Sequence, residues 1–398
     1  MNAPTSHPRS KVLCIYATRQ IDSNLFMSST IFNGLKKGGF QPDIIFAGTK
    51  DVLSIFHKKY SHYFNKVYDI ELSSSRIKRY LKNDFQKTIH SFLQHFITDN
   101  LIRPYSKRQL KSLKLEQYQY MLSFVPPPIS GLLAHDIQAI YNMQNTPLIQ
   151  YWTDPLSLGR CNDITDIPPW RYFHKKLEHK ILGFADKIVF CYPLLSEMEQ
   201  KLHPAFAKKM TWSDVSYIER SPIPHVQNNQ ISVGLFGAYQ KRVRNITPLL
   251  NTLHYFPEIK FILRGDSDIS IDPANYPNLD IETGRRPAEE IEILENKCDI
   301  LLSLGGLSGI THPAGKTFYY ANYDKPIVYI GDGQHKKYFE DYLSGFEDRY
   351  IICENTVESI RKGIKKALDI LPVFKLKIPL RMKPEIIAQK ILSLSTKQ

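Results

Sequence analysis

The sequence is poor in cysteine, and the few it has are not arranged for a task. Five are scattered over 398 residues, at Cys14, Cys161, Cys191, Cys298 and Cys353, without a C-x-x-C pair. This excludes a disulfide framework or a zinc ribbon and points to a reducing compartment. No stretch approaches the ~18 apolar residues of a spanning helix, and the opening residues lack the apolar core of a secretory signal. A soluble, cytoplasmic or at most peripheral protein is expected. Internal repeats, low-complexity tracts, a G-x-S-x-G motif and His/Cys clusters with ligand spacing are all missing, so no metal site is expected. Acidic residues are also in deficit: 39 Asp and Glu face 52 Lys and Arg, a formal net charge of +13. That excess favours an anionic partner, whether nucleic acid, an anionic membrane face or phosphorylated small molecules.

What is present reads as α/β. At 42% hydrophobic and 23% charged the chain is globular, and its length suggests two or three domains. Short apolar runs rich in β-formers predict strands at 11–17, 43–47, 66–70, 119–125, 147–152 and 187–192. Helices are expected between them at 24–37, 76–97, 130–143 and 169–184. The pattern breaks at 221–230, SPIPHVQNNQ, a linker signal. It restarts with strands at 231–236, 259–263, 299–304, 326–330 and 351–353, and helices at 245–255, 287–296, 315–322 and 356–371. Alternation of this kind predicts parallel sheets. The expected domains are 1–220 and 231–371, each of Rossmann size. In 372–398 a proline-containing stretch precedes an amphipathic helix at 385–394. The blander reading packs that helix on the second domain; the one adopted returns it to the first.

The most informative stretch is 298–332, CDILLSLGGLSGITHPAGKTFYYANYDKPIVYIGD. An apolar strand runs into Gly305-Gly306, a small-residue loop follows, and Gly315-Lys316-Thr317 opens a helix. Backbone N–H groups at a helix start behind a glycine loop attract anions, and a first-turn lysine adds a full charge. That chemistry suits a diphosphate. A Walker A loop does not fit, because five residues instead of four separate Gly309 from Gly315-Lys316-Thr317. The alternative is a merely solvated Lys316. In 234–245, GLFGAYQKRVRN, a strand ends at Gly237 and Lys241, Arg242 and Arg244 follow. Arginines at a strand's carboxyl end stand where α/β domains bind ligands; the alternative is an exposed basic loop.

These stretches resemble the retaining, family 4 type of GT-B glycosyltransferase that builds bacterial capsule and lipopolysaccharide sugars. Gly237 with Arg242, Arg244 and Asn245 is similar to the glycine-then-basic loop on the donor diphosphate. Pro313, Lys316, Phe318 and Tyr320, followed by Lys325-Pro326-Ile327, resemble the Pro-x-Lys-x-Phe-Glu-Tyr and Lys-Pro-Ile signature. Tyr151-Trp152-Thr153-Asp154-Pro155 and Ala185-Asp186-Lys187-Ile188-Val189 resemble first-domain segments of the same enzymes. The resemblance implies two Rossmann-like domains facing a cleft. It places a nucleotide-sugar donor, a UDP-sugar, on the second domain at Gly237, Arg242, Arg244, Gly265, Gly306, Ser308, Thr311, Pro313, Lys316, Thr317 and Tyr319. The acceptor would be a glycan or a lipid-linked sugar. No cofactor beyond this co-substrate is implied, and no metal, since cations can neutralise the leaving diphosphate. Where the family carries two glutamates this chain has Thr311 and Tyr319, so a tyrosine hydroxyl stands where a carboxylate usually holds the ribose.

Asp154 ends an apolar strand, which puts a carboxylate at the sheet's carboxyl edge, suited to an acceptor hydroxyl; a turn-initiating Asp before Pro155 is the alternative. His312, beside the phosphate loop, is a second catalytic candidate or a structural residue. Asp266-Ser267-Asp268 reads as a loop and not as a metal motif. Between Arg76 and Lys114 ten Lys or Arg face two acids, interleaved with apolar residues, as in a basic amphipathic helix on an anionic membrane face. A solvated helix face is the plainer reading, and no nucleic-acid-binding signature accompanies the charge. The expectation is a glycosyltransferase of bacterial surface polysaccharide, with an epimerase-like enzyme or a non-catalytic anion or nucleic-acid binder as alternatives.

Overall fold

Residues 11–17, KVLCIYA, have no polar face, and a strand apolar on both sides belongs inside a parallel sheet covered by helices. The computed structural model places this strand, β1 (Lys11–Ala17), there, with all but its first residue buried. The structure describes residues 10–21, 23–72, 103–157, 168–217, 230–239, 241, 244–284, 286–305, 315–320, 323–331, 336–344, 350–373 and 380–393. The expected helix at 76–97 and most of the linker at 221–230 lie outside these residues.

In the first of two units, β1 pairs in parallel with β2 (Gln41–Gly48) and β4 (Tyr120–Val125). With β3 (Val67–Glu71), β5 (Leu148–Trp152), β6 (Lys187–Phe190) and β7 (Met210–Trp212) they form a seven-stranded sheet, ordered β3-β2-β1-β4-β5-β6-β7. Its helices are α1 (Ser23–Lys37), α2 (Lys50–Lys59), α3 (Lys107–Lys111), α4 (Pro128–Ile140), α5 (Pro168–Phe184) and α6 (Pro193–Leu202). The buried Ser130 hydroxyl accepts the N–H of Ala17 at 2.9 Å and ties α4 to the end of β1. Tyr16, Phe46 and Phe56 stack across the core, with Phe46 and Phe56 ring centroids 3.8 Å apart.

The second unit repeats the plan with β8 (Ser232–Phe236), β9 (Lys260–Gly265), β10 (Leu279–Thr283), β11 (Ile300–Leu304), β12 (Ile327–Ile330) and β13 (Tyr350–Cys353). They form a parallel sheet ordered β10-β9-β8-β11-β12-β13. Its helices are α7 (Thr247–Thr252), α8 (Ala288–Lys297), α9 (Gly315–Tyr319), α10 (Lys336–Ser344) and α11 (Val357–Ile370). The last buries Ile360, Gly363, Ile364 and Ala367 at helical spacing. In both sheets the strand order reverses beside the unit's first strand, between β1 and β4 and between β8 and β11. Loops leaving strands at such a reversal diverge and open a crevice over the carboxyl ends.

Two strands and three helices of eight residues or more were not expected from sequence. The edge strand β10 carries Asp280 and Glu282 and buries only Leu279 fully, so it has no apolar run. β7 has three residues, and α2 buries only Val52 and Phe56. α6 and α10 are likewise short.

The final helix, α12 (Pro384–Ser393), belongs to the first unit and packs against α1. It buries Pro384, Ile387, Ala388, Ile391 and Leu392. Arg381 donates to the buried Asp214 at 3.0 Å, and Lys390 stands over the Trp212 ring, 4.2 Å from its centroid. Among the described residues no helix is long and apolar enough to cross a membrane.

The contact between α1 and α12 leaves no room at Gly34, where a Cβ would stand 2.1 Å from the Pro384 carbonyl oxygen. Gly34→Ala is therefore expected to displace α12 and cost about 1–3 kcal/mol, read as a lower urea midpoint. An unchanged midpoint would mean that this helix carries little of the unit's stability.

Candidate functional site

The strand-order reversal of the second sheet is edged with glycine. β8 is followed by Gly237, whose φ of +127° favours a residue without a Cβ. Gly265, at the end of β9, lies so close that a Cβ there would be 1.9 Å from the Gly237 carbonyl oxygen. This close approach lets the two loops pair onward: Tyr239 N–H donates to the Asp266 carbonyl at 3.0 Å, and Lys241 N–H donates to Asp268 Oδ1 at 2.8 Å. Asp268 thus joins the loop after β9 to the loop after β8.

Two cations meet the loop after β8. The Arg244 guanidinium reaches the Ala238 carbonyl at a weak 3.4 Å, and its Nε is buried without a hydrogen-bond partner among the described residues. Burial holds the Arg244 guanidinium below its ordinary range, with the nearby Tyr329 phenol pulling the other way. Tyr329 is itself buried and its hydroxyl lacks a partner among the described residues. That hydroxyl stands over the end of β11, 2.5 Å from where a Cβ on Gly305 would be. Gly305 and Gly331 thus leave space at two neighbouring strand ends for the Tyr329 ring.

Lys316 approaches from α9. Its Cδ and Cε lie 3.8 Å from the position of a Gly237 Cβ, and its ammonium stands 5.7 Å and 5.6 Å from the Phe236 and Tyr320 ring centroids. The ammonium is paired with Glu295 of α8. Glu295, 3% exposed, also accepts from the hydroxyls of Tyr320 at 3.3 Å and Tyr323 at 2.7 Å. An ammonium has three donors, and the Lys316 side chain remains 31% exposed, so it is held on one side and open on another.

The remaining candidates divide. Thr317 is buried, with its hydroxyl 2.9 Å from that of Ser303 on β11, and it anchors α9 to the sheet. Tyr319 is half-buried on α9. With five residues against the eight expected, α9 is little more than one turn, so its dipole adds little to Lys316. Arg242, Gly306, Ser308, Thr311, His312 and Pro313 lie outside the described residues. Lys325 of the Lys-Pro-Ile segment caps a helix: its ammonium donates to the carbonyls of Glu295 at 2.8 Å, Asn296 at 3.0 Å and Cys298 at the C-terminus of α8. Glu295 and Tyr329 were missed from sequence. One is among several glutamates in a charged helix and the other lies inside an apolar strand.

In the first unit Asp154 follows β5 and is half-buried, one strand beyond the reversal between β1 and β4. Its loop is braced on both sides. Thr153 N–H donates to the Val125 carbonyl at 3.0 Å, and the Cys191 thiol donates to the Thr153 carbonyl at 3.1 Å. Behind it the buried Glu178 accepts the Leu156 N–H at 2.7 Å and the Ser157 hydroxyl.

No family model matches the chain, and no curated protein matches its sequence. Among solved structures it is similar to the glycotransferase of kitacinnamycin, with a TM-score of 0.53 at 10% identity over 98% of this chain and 100% of that one. It is similar to a glycosyltransferase from Rickettsia africae ESF-5, at 0.50 and 14% over 98% and 94%. It is also similar to UGT89C1 of Arabidopsis thaliana, at 0.51 and 12% over 96% and 94%. At these identities the likeness is one of fold. The chain has the α/β fold of the GT-B glycosyltransferases, with two parallel sheets of seven and six strands.

The buried cap at Lys325 has a pH signature. Burial lowers its ammonium from 10.5 to about 8. Between those values the unfolded chain binds the proton more tightly, so this lysine's contribution to stability is least below pH 8 and rises toward pH 10.5. The difference in unfolding midpoint between the wild type and Lys325→Met is expected to widen in favour of the wild type across that window. A difference that stays flat would show that the ammonium is not desolvated.

Proposed function

We propose that the protein is a glycosyltransferase whose second unit binds the diphosphate of a nucleotide sugar over the ends of β8 and β11. The observation that carries this is Arg244, a half-buried cation at a glycine-edged strand reversal, whose buried Nε has no hydrogen-bond partner among the described residues. Burying such a group is costly unless an anion completes its hydrogen bonds. A diphosphate supplies several acceptors, and the Lys316 methylenes lie against Gly237 of the same loop.

In the transfer the bond between the sugar C1 and the leaving oxygen breaks with its electron pair going to the diphosphate. The acceptor hydroxyl bonds to C1 and loses its proton. Negative charge therefore grows on the diphosphate, and Arg244 and Lys316 are placed to stabilise it, with no metal required at the donor. Glu295 holds Lys316 against the Phe236 and Tyr320 rings, which limits the reorganisation needed when the donor arrives. In the first unit Asp154 is the group proposed to receive the acceptor hydroxyl's proton.

A UDP-sugar donor, a glycan or lipid-linked acceptor and a role in bacterial surface polysaccharide are the finer terms of this proposal, supported by the motif resemblance. A peripheral position on the inner face of the cytoplasmic membrane is supported by the basic segment. Within it Arg103 is taken by Asp136 at 2.8 Å, while Lys107, Arg108, Lys111 and Lys114 are exposed.

UDP is expected to raise the Tm in a saturable manner. Arg244→Ala is expected to weaken UDP binding roughly 10–100-fold, the loss of about 1.5–3 kcal/mol from hydrogen bonds to a charged group. Equal shifts in wild type and variant would remove Arg244 from the site. Replacing Lys107, Arg108, Lys111 and Lys114 with Ser is expected to reduce sedimentation with anionic vesicles, by up to about 1 kcal/mol for each residue that reaches the surface. UDP binding should not change, and undiminished sedimentation would leave these residues as a solvated face.

A further inference from the structure

Behind the Asp154 loop three ionisable side chains converge that the transfer chemistry does not use. Glu178 comes from α5, Glu199 from α6, and His203 follows the last turn of α6. One ligand atom from each lies within 4.8 Å of the others, and the residues are 0%, 0% and 1% exposed, so bulk water does not screen them.

Their hydrogen bonds do not balance. Glu178 accepts from the Leu156 N–H and the Ser157 hydroxyl. Both oxygens of Glu199 are buried without a hydrogen-bond partner among the described residues. The His203 Nε2 faces both carboxylates, 3.3 Å from Glu178 Oε2 and 3.7 Å from Glu199 Oε2. Its Nδ1 lies 3.3 Å from the Nδ1 of His179. If His203 Nδ1 carries the proton and donates it to His179, the lone pair of Nε2 points at two carboxylates. Such a centre requires a cation.

We infer that Glu178, Glu199 and His203 form a structural site for a first-row divalent cation, with Zn2+ as the representative. Two carboxylate oxygens and one imidazole nitrogen form a donor set suited to such an ion. A dication with two carboxylates and a neutral imidazole is electrically balanced, as a buried site requires. The outer contacts are those expected around a bound ion: His179 orients the imidazole, while Leu156 N–H and Ser157 orient Glu178. Through Glu178 the ion would fix the loop that carries Asp154. That consequence for transfer rests on the reading above, whereas metal binding does not.

The full-length chain, purified without a histidine tag and without chelator, is expected to hold about one Zn2+ per molecule by elemental analysis, with ligand binding coupled to folding. Chelation should lower its Tm and added Zn2+ should restore it, with or without UDP present. The isosteric Glu199→Gln should lose both the bound metal and the response to chelator. Metal-free wild-type protein whose Tm ignores Zn2+, Mn2+ and chelator would overturn the site and leave Glu199 as a buried neutral acid. Glu199→Gln would then be at least as stable as wild type. Should that variant fail to fold, metal content and the Zn2+ response of the wild type still decide. Loss of UDP binding alone would count against the donor site and not against this one.

Discussion

A Cβ at position 265 would stand 1.9 Å from the Gly237 carbonyl oxygen, and much of the second unit's candidate site depends on that exclusion. Because no side chain intervenes, the loop after β8 lies along the loop after β9 and is held there by the backbone bond from Tyr239 to Asp266. The loop's path then fixes where the Ala238 carbonyl meets Arg244 and leaves the surface of Gly237 open to the methylenes of Lys316. The cations are brought to one strand end by backbone packing, not by attraction to each other.

Each unit also has a buried carboxylate at a junction. Glu295 gathers Lys316, Tyr320 and Tyr323 beside the end of β8, and Glu178 gathers Leu156, Ser157 and His203 under the Asp154 loop. A buried charge is tolerated only when its partners are in place. Both carboxylates therefore position elements whose exposed ends carry the proposed chemistry. They differ in their partners. Glu295 has an ammonium for its counter-charge, whereas Glu178 shares His203 with a second buried carboxylate.

The fold was largely legible in the sequence because parallel strands buried on both faces appear as short apolar runs. β1 coincides with the expected 11–17, and β8 and β11 with expected strands to within one residue. Elements that bury little left no such trace, as β10 and α2 show. Of the candidate site, the sequence marks residues that the fold gathers at one strand end, Gly237, Arg244 and Lys316, because glycine and charge adjoin a strand there. It does not record packing partners. The Thr317 hydroxyl lies against Ser303, and Lys325 caps a helix.

By itself the sequence determined the alternation of strands and helices, the glycine-then-basic loop and the excess of cations, all properties of neighbouring residues along the chain. Tertiary structure alone decided which of those charges are satisfied within the protein. Glu178 and His203 are 25 residues apart, and Lys316 and Glu295 are 21 apart. Whether a charged group faces a partner, a ligand or water is settled by how helices cross the sheet, and local sequence does not record that geometry.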